Sequence, residues 1–187
     1  QIHDVKAAIR WLRANAGSYG YDPDRIGVAG NSAGGHLAAL LGLSAGVKAL
    51  EGEMGKHPGE SSRVNVVINY YGASDFILRS KTQPQRADAV GSVVYNLLGG
   101  PASVLIEKAV LASPAFHVTS DDPPLMILHG LEDETVLIDQ AVRLFTAYQG
   151  LGLSVEFHAL NGFAHDAGLI YDDLNKQLVI RFLNKNL

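Results

Sequence analysis

A serine enclosed by small residues is the first feature of the sequence that could do chemistry. The stretch GNSAG, residues 30–34, fits the pattern G-x-S-x-G with Ser32 at its centre, and a further glycine follows directly. In a nucleophile elbow this pattern holds a serine on a sharp turn between a strand and a helix, where larger flanking side chains would collide. The alternative is an ordinary flexible loop, because the pattern alone is a weak signal. The neighbouring elements must decide between the two.

A catalytic serine needs a base, and two histidines lie late enough in the chain to serve. A serine hydroxyl is a poor nucleophile near neutral pH, and in such an elbow fold the chain order is Ser, then Asp or Glu, then His. Of the seven histidines, only His158 and His165 follow a plausible acid. His158 lies inside a predicted strand, where packing or a surface contact is the more common role. His165 lies in the glycine-flanked loop NGFAHDAG, and we predict that it is the base.

The acid that would orient this histidine is expected in the loop LEDETV, residues 131–136. Glu132, Asp133 and Glu134 could all belong to a solvated run of charge, and at least two of them must. Asp133 comes three residues after Gly130, which is far enough to leave the preceding strand and turn towards a neighbouring histidine loop. We therefore predict Asp133 as the acid of the triad.

Strands and helices alternate along the chain in an order that would bring these three residues together. Short apolar or β-branched runs predict strands at 25–30, 64–71, 124–130 and 153–160, and apolar periodicity predicts helices at 4–16, directly after residue 32, at 104–111, 139–149 and 172–184. This alternation predicts an α/β fold, a mostly parallel sheet with helices on both faces. Functional residues of such sheets gather at the carboxyl ends of the strands, and Ser32, Asp133 and His165 each follow a different predicted strand.

Composition excludes several classes of function. The 187 residues are 47% hydrophobic, which predicts a single domain over 1–187. The net charge of -4 and the lack of a basic run argue against a nucleic-acid partner. The absence of cysteine excludes a disulfide scaffold and a thiolate nucleophile but leaves the cellular compartment open. The histidines do not cluster with carboxylates at metal-ligand spacing, so we expect neither a metal nor a cofactor. The most apolar stretch, 34–47, is too short to span a membrane.

Five stretches carry a resemblance to a known family. They are YDPDRIGVAGNSAGGHLAALL, LLGGP, ASPAFHV, DDPPLMILHGLEDETV and NGFAHDAG, and the most specific piece is GNSAGGHLAAL. Over nearly the whole chain they resemble α/β-hydrolase esterases of the hormone-sensitive-lipase-like and BD-FAE (acetyl-xylan or feruloyl esterase-like) type. The resemblance implies Ser32 as nucleophile, Asp133 as acid, His165 as base and the Ala33 N–H as an oxyanion donor. His36 matches a position that is often histidine in these relatives, and we expect it to be structural.

The function implied is a serine carboxylesterase that acts through an acyl-enzyme on short-chain esters. Asn31 and Phe163 are expected to contact the substrate, and residues 72–120 are expected to form a cap or pocket insertion. Its apolar walls could come from Phe76, Ile77, Leu78, Tyr95 and Phe116, although core packing is the alternative for each. A prolyl-oligopeptidase-like serine peptidase is a second possibility, because it shares the fold and the triad. A third is an inactive hydrolase fragment that serves as a binding or structural module.

The sequence departs from the family pattern upstream of the nucleophile. No HGGG-type loop, which supplies a second oxyanion donor in such hydrolases, occurs in the chain. The strands that precede the nucleophile strand in the family also lack counterparts. We therefore expect an α/β-hydrolase fold truncated at its N-terminus, with four strands. The strand at 25–30 would then lie at an exposed sheet edge, through which a homodimer could form.

Overall fold

One parallel sheet organises the structure, a computed structural model that describes all residues from 1 to 187. Its strands are β1 (Gly27–Asn31), β2 (Val66–Tyr70), β3 (Leu125–Gly130) and β4 (Val155–Leu160), and their spatial order is the order of the chain. Each strand pairs in parallel with its neighbour, so all four carboxyl ends lie at one edge of the sheet. Four strands were predicted, at nearly these positions.

Helices connect the strands and cover the sheet. They are α1 (Ile2–Tyr19), α2 (Ala33–Leu43), α3 (Lys48–Glu51), α4 (Phe76–Thr82), α5 (Pro84–Ala87), α6 (Val93–Leu98), α7 (Ile106–Leu111), α8 (Asp139–Gly150), α9 (Gly168–Tyr171) and α10 (Asp173–Asn186). None of them combines the length and the apolar character that a membrane crossing requires.

The two central strands divide their side chains between two apolar cores. Val67 of β2 and Ile127 of β3 point to one face, where they join a core that includes residues of α1, α2 and α8. Val66 and Met126, their immediate neighbours, point to the other face and pack in the core that includes Phe182 of α10. Successive side chains of a strand alternate between faces, so strands buried on both sides read as continuous apolar runs. Helices on both faces follow from this pattern, as predicted.

The segment from 72 to 120 folds as four short α-helices and a 3₁₀ helix (Pro114–Phe116), with a core of its own. This core includes Phe76, Val94, Leu98 and Ala109, and Val136 from the loop after β3 completes it. The sequence predicted only the last of these α-helices, at 104–111, where α7 spans 106–111. The helices α4, α5 and α6 have seven, four and six residues, lengths over which an apolar period is difficult to recognise.

Candidate active site

Ser32 forms the turn between β1 and α2 in a strained backbone conformation. Its φ of 52° and ψ of -119° lie outside the regions that residues other than glycine usually occupy. A Cβ on Gly30 would lie 2.2 Å from the Gly34 carbonyl oxygen, and one on Gly35 would lie 2.8 Å from the Tyr70 carbonyl oxygen. Gly34 has open space around its Cβ position. Close packing therefore requires glycine at positions 30 and 35. The pattern G-x-S-x-G predicted collisions at positions 30 and 34, and the structure shows none at 34.

The elbow leaves backbone donors free at the start of α2. The Ser32 N–H is used by the sheet and donates to the Tyr70 carbonyl at 2.9 Å. The first bond of the helix runs from the His36 N–H to the Ser32 carbonyl at 3.0 Å, so the Ala33 N–H precedes the helical ladder. An amide at this position can stabilise negative charge, because N–H groups and the helix dipole converge there.

The structure brings Ser32, His165 and Asp133 into one hydrogen-bonded chain. His165 Nε2 lies 2.7 Å from Ser32 Oγ, and His165 Nδ1 lies 2.6 Å from Asp133 Oδ2. The ring N–H at Nδ1 donates to the carboxylate, which makes Nε2 the acceptor for the serine hydroxyl. The Asp133 side chain is fully buried and that of His165 is 17% exposed. This geometry is the relation of nucleophile, base and acid that proton transfer from a serine needs.

The Asp133 carboxylate is held ionised by its surroundings. Burial on its own raises the pKa of this group, but the hydrogen bonds from His165 and the Val136 N–H, with the charges of His165 and His129, outweigh it and lower the pKa. Its Oδ1 also accepts the N–H groups of Thr135 and Val136, both at 2.9 Å. The loop after β3 thus folds around its own acid.

His129 and Tyr71 are two neighbours of the triad that sequence reasoning missed. His129, the last residue but one of β3, is fully buried. It donates from Nε2 to the Val136 carbonyl at 2.8 Å and lies 3.5 Å from Asp133 Oδ2. Tyr71 has a φ of 43° and packs edge-on against the His165 ring, 4.7 Å between centroids. The spacing of His129 four residues before Asp133 could have drawn notice, but no sequence signal marks a tyrosine with positive φ.

The other two histidines discussed above have structural surroundings. His36 is buried, donates from Nε2 to the Ala112 carbonyl at 2.7 Å and packs against Phe76. Burial lowers the pKa of His36, which keeps its ring neutral near pH 7. His158 is half-buried on β4, with Nε2 3.8 Å from a Glu156 carboxylate oxygen. No group of three or more His, Asp or Glu side chains is placed to hold a metal ion.

A cavity of about 660 Å³ opens beside Ser32. The elbow contributes Ser32, Ala33 and His36, and most of the remaining wall comes from the segment 72–120. That part of the wall consists of Ala73, Phe76, Arg79, Gln85, Arg86, Gly91, Ser92, Val93, Val94, Asn96 and Leu97, and Gln1, Thr135 and Val136 complete the lining. The segment thus faces the serine across a space large enough for a small ester.

Several residues predicted to meet the substrate lie elsewhere. Of the five candidate apolar wall residues only Phe76 lines the cavity; the other four, Ile77, Leu78, Tyr95 and Phe116, do not. A helix turns each successive side chain by about 100°, so Ile77 and Leu78 cannot share the direction of Phe76. Asn31 and Phe163 are also outside the lining. Asn31 donates to the Tyr71 hydroxyl at 3.3 Å, and Phe163 packs against the core on the α10 side of the sheet.

Comparison with known proteins identifies relatives of this chain. A family model described as BD-FAE matches residues 1–148. Esterase LipC of Mycobacterium tuberculosis is 34% identical over 170 residues, which are 90% of this chain and 41% of that protein. The probable carboxylic ester hydrolase LipM of the same organism is 33% identical over 144 residues, 75% of this chain and 31% of its own length. The chain therefore spans less than half of these two relatives.

A solved structure has a similar fold. It is described as a truncated form of a carbohydrate esterase from gut microbiota and superposes with a TM-score of 0.83 at 31% identity. The match covers 100% of this chain and 68% of that one.

Proposed function

The chain belongs to the BD-FAE family of α/β-hydrolase esterases, and from this premise we propose that it is a serine carboxylesterase that forms an acyl-enzyme on Ser32. The observation that carries the proposal is the chain of contacts from Ser32 Oγ through His165 to the buried Asp133, at 2.7 and 2.6 Å. Three loops that are distant in the sequence supply these groups, and each group has the chemistry its place in the chain requires.

In the proposed reaction, Ser32 Oγ attacks the ester carbonyl carbon while His165 Nε2 accepts the hydroxyl proton. The negative charge on the carbonyl oxygen is stabilised by the Ala33 N–H at the start of α2. Asp133 stabilises the positive imidazole and holds its tautomer. His165 then donates its proton to the alkoxide as the ester C–O bond breaks, which leaves an acyl-serine and a free alcohol.

Water completes the cycle on the same groups. His165 accepts a proton from the water, the resulting hydroxyl attacks the acyl carbonyl, and the collapse of the intermediate returns the proton to Ser32 Oγ. The products are a carboxylic acid and the regenerated serine.

A short acyl chain suits the space beside Ser32. The cavity is about 660 Å³ and includes Phe76, Val94 and Leu97 among its apolar walls. Because most of its lining comes from 72–120, this segment is proposed as the pocket insertion of a single catalytic domain. Asn31 and Phe163 stay proposed substrate contacts because they lie close in the chain to Ser32 and His165, although neither lines this cavity.

Hydrolysis of p-nitrophenyl acetate and butyrate, with fluorophosphonate labelling of the protein, tests this proposal. Ser32→Ala should abolish labelling and lower kcat by at least about 10³-fold, since nothing else in the chain replaces the nucleophile. Ser18→Ala, at an exposed serine of α1, is the matched control and should leave both readouts unchanged. Turnover retained in folded Ser32→Ala would refute the assignment, and so would a folded parent protein that is neither labelled nor active.

A further inference from the structure

Two arginines line the cavity beside Ser32, and no carboxylate lines it. Arg79 comes from α4 and Arg86 from α5, within the segment that forms most of the wall. The rest of the lining is apolar or neutral and polar, apart from His36, which burial keeps uncharged. The side chains of this wall therefore present two positive charges to the space in which a substrate would lie.

Arg79 is a buried cation without an anionic partner. It is only 8% exposed, and its single side-chain hydrogen bond runs from Nη2 to the Thr135 carbonyl at 2.7 Å. Its Nε is buried and has no hydrogen-bond partner. Asp133 and Asp139 are near enough to influence its charge, yet neither lies within ion-pair distance. A buried guanidinium with free donors is costly unless an acceptor completes it.

The positive charge of Arg86 makes the charged form of Arg79 less stable when no anion is bound. Burial, and after it the positive charge of Arg86, lower the pKa of Arg79. Arg86 is exposed and has neither an ion pair nor a side-chain hydrogen bond to another residue of the chain. Two guanidiniums of like charge in the lining of one cavity attract an anion, and a carboxylate matches their forked donors.

We infer that the cavity binds a carboxylate carried by the ester substrate, with Arg79 as the buried anchor and Arg86 as the second contact. This inference rests on the proposed function, because it names the substrate class of the same site. The carboxylate could belong to the acyl part, as in the monoester of a dicarboxylic acid, or to the alcohol part, as in an acylated uronic acid. Both sources present the same group to the two arginines.

Paired substrates that share a carbon skeleton and differ in the carboxylate measure this preference. Monoethyl glutarate against ethyl pentanoate tests the acyl part, and acetylated glucuronic acid against acetylated glucose tests the alcohol part. For one of the pairs, kcat/KM for the carboxylate member should exceed that of the neutral member by about 10-fold to 100-fold, the range of a charged hydrogen bond. The pair that shows the preference identifies which part of the ester carries the carboxylate.

Variants of the two arginines test whether these side chains cause the preference for a carboxylate. Arg79→Gln and Arg86→Gln should each lower the ratio of the two kcat/KM values by about 10-fold, the smaller part of that range. A general loss of activity, as from disturbing the Thr135 contact, does not change this ratio. Arg181→Gln, at an exposed arginine of α10, removes the same charge and should leave the ratio unchanged. Equal rates within both pairs, or a ratio that neither cavity variant lowers, overturns the inference.

A binding measurement separates this inference from the proposed esterase activity. If no ester is hydrolysed, the proposed function fails, and thermal unfolding with glutarate or the neutral glutaramide then tests the site alone. Glutarate should raise Tm of the parent protein more than glutaramide does, and the difference should be smaller in Arg79→Gln and in Arg86→Gln. Equal shifts from the two compounds contradict an anion site in this cavity.

Discussion

Asp133 differs in burial from the acidic residues on either side of it. Glu132 and Glu134 are exposed, whereas the Asp133 side chain has no exposed surface and contacts His165 at 2.6 Å. Asp133→Asn should leave the fold intact and lower kcat on the order of 10⁴-fold, because an amide favours the wrong imidazole tautomer. Steady-state hydrolysis of p-nitrophenyl butyrate measures the effect. Glu134→Gln is the matched control and should retain the parent rate; equal losses in both variants would contradict a specific role for Asp133.

Asp122 is an acid whose position makes the fold sensitive to pH. Burial raises the pKa of Asp122 to about 6, against the lowering effect of its hydrogen bonds with Thr119. The folded state therefore binds a proton more tightly than the unfolded state, and this group lowers the free energy of unfolding as pH rises from about 4 to about 6. Asp122→Asn should be equal in stability to the parent near pH 3.5 and more stable at pH 7.5 by about 1 kcal/mol, a value reduced from the full shift because Asp122 is only half-buried.

Urea denaturation at the two pH values measures this difference. Asp121→Asn carries the same change of charge, but Asp121 is exposed and pairs with Arg63 at 2.6 Å. This control should not be stabilised at pH 7.5. A stability difference between Asp122→Asn and the parent that is the same at both pH values would contradict the titration of Asp122.

At the scale of elements, Gly35 and not Gly34 is the glycine at the start of α2 that allows this helix to approach the sheet closely. A Cβ on Gly35 would meet the Asn69 side chain at 2.6 Å and the Tyr70 backbone at 2.8 Å, and backbone cannot move aside without disturbing β2. Gly35→Ala should therefore lower the free energy of unfolding by about 1–3 kcal/mol, the usual cost of overpacking.

Gly34→Ala is the matched change one residue earlier. Its Cβ would enter open space, and alanine favours the helix, so we expect equal or higher stability by up to about 1 kcal/mol. Thermal unfolding of both variants compares them directly. Equal destabilisation of the two would show that the close approach at Gly35 does not hold α2 against β2.

Strands and helices with a clear apolar run or apolar period in their sequence were predicted, and the short helices without one were not. The comparisons confirm the α/β-hydrolase fold, and the strands and long helices lie close to their predicted positions. Ser32, Asp133 and His165 could be predicted as candidates because each follows a predicted strand and lies in a small-residue or polar turn. Arg79 and Arg86 were not, because they lie on helices of seven and four residues, whose sequence does not show which side chains face the cavity.

At the scale of the whole molecule, the site depends on the order of strands in the sheet. Ser32 and His165 are 133 residues apart in the chain. They lie close together because the carboxyl ends of β1 and β4 are at the same end of a parallel sheet. The two central strands contribute side chains to both apolar cores that keep this order. Substitutions in β2 or β3 should consequently affect the whole site together rather than one group of the triad.

The same strand order leaves β1 at an edge with no neighbour beyond it. Residues 27, 29 and 31 are exposed. Backbone groups of residues 26 and 32 form hydrogen bonds with the chain of β2. Because every second residue of a strand bonds to the same neighbour in a parallel pair, the N–H and C=O groups of Ala29 point away from β2. An apolar edge with free N–H and C=O groups favours pairing with a second copy. We therefore expect the chain to self-associate weakly through β1.

Sedimentation velocity over a range of concentrations tests this expectation. Ala29→Lys should abolish the concentration-dependent increase in sedimentation coefficient, because a charge on an exposed edge strand opposes pairing. Val142→Lys adds the same charge at an exposed position of α8 and should leave self-association unchanged. A parent protein that stays monomeric at every concentration would contradict edge pairing, and dimers that persist in Ala29→Lys would assign the contact to another surface.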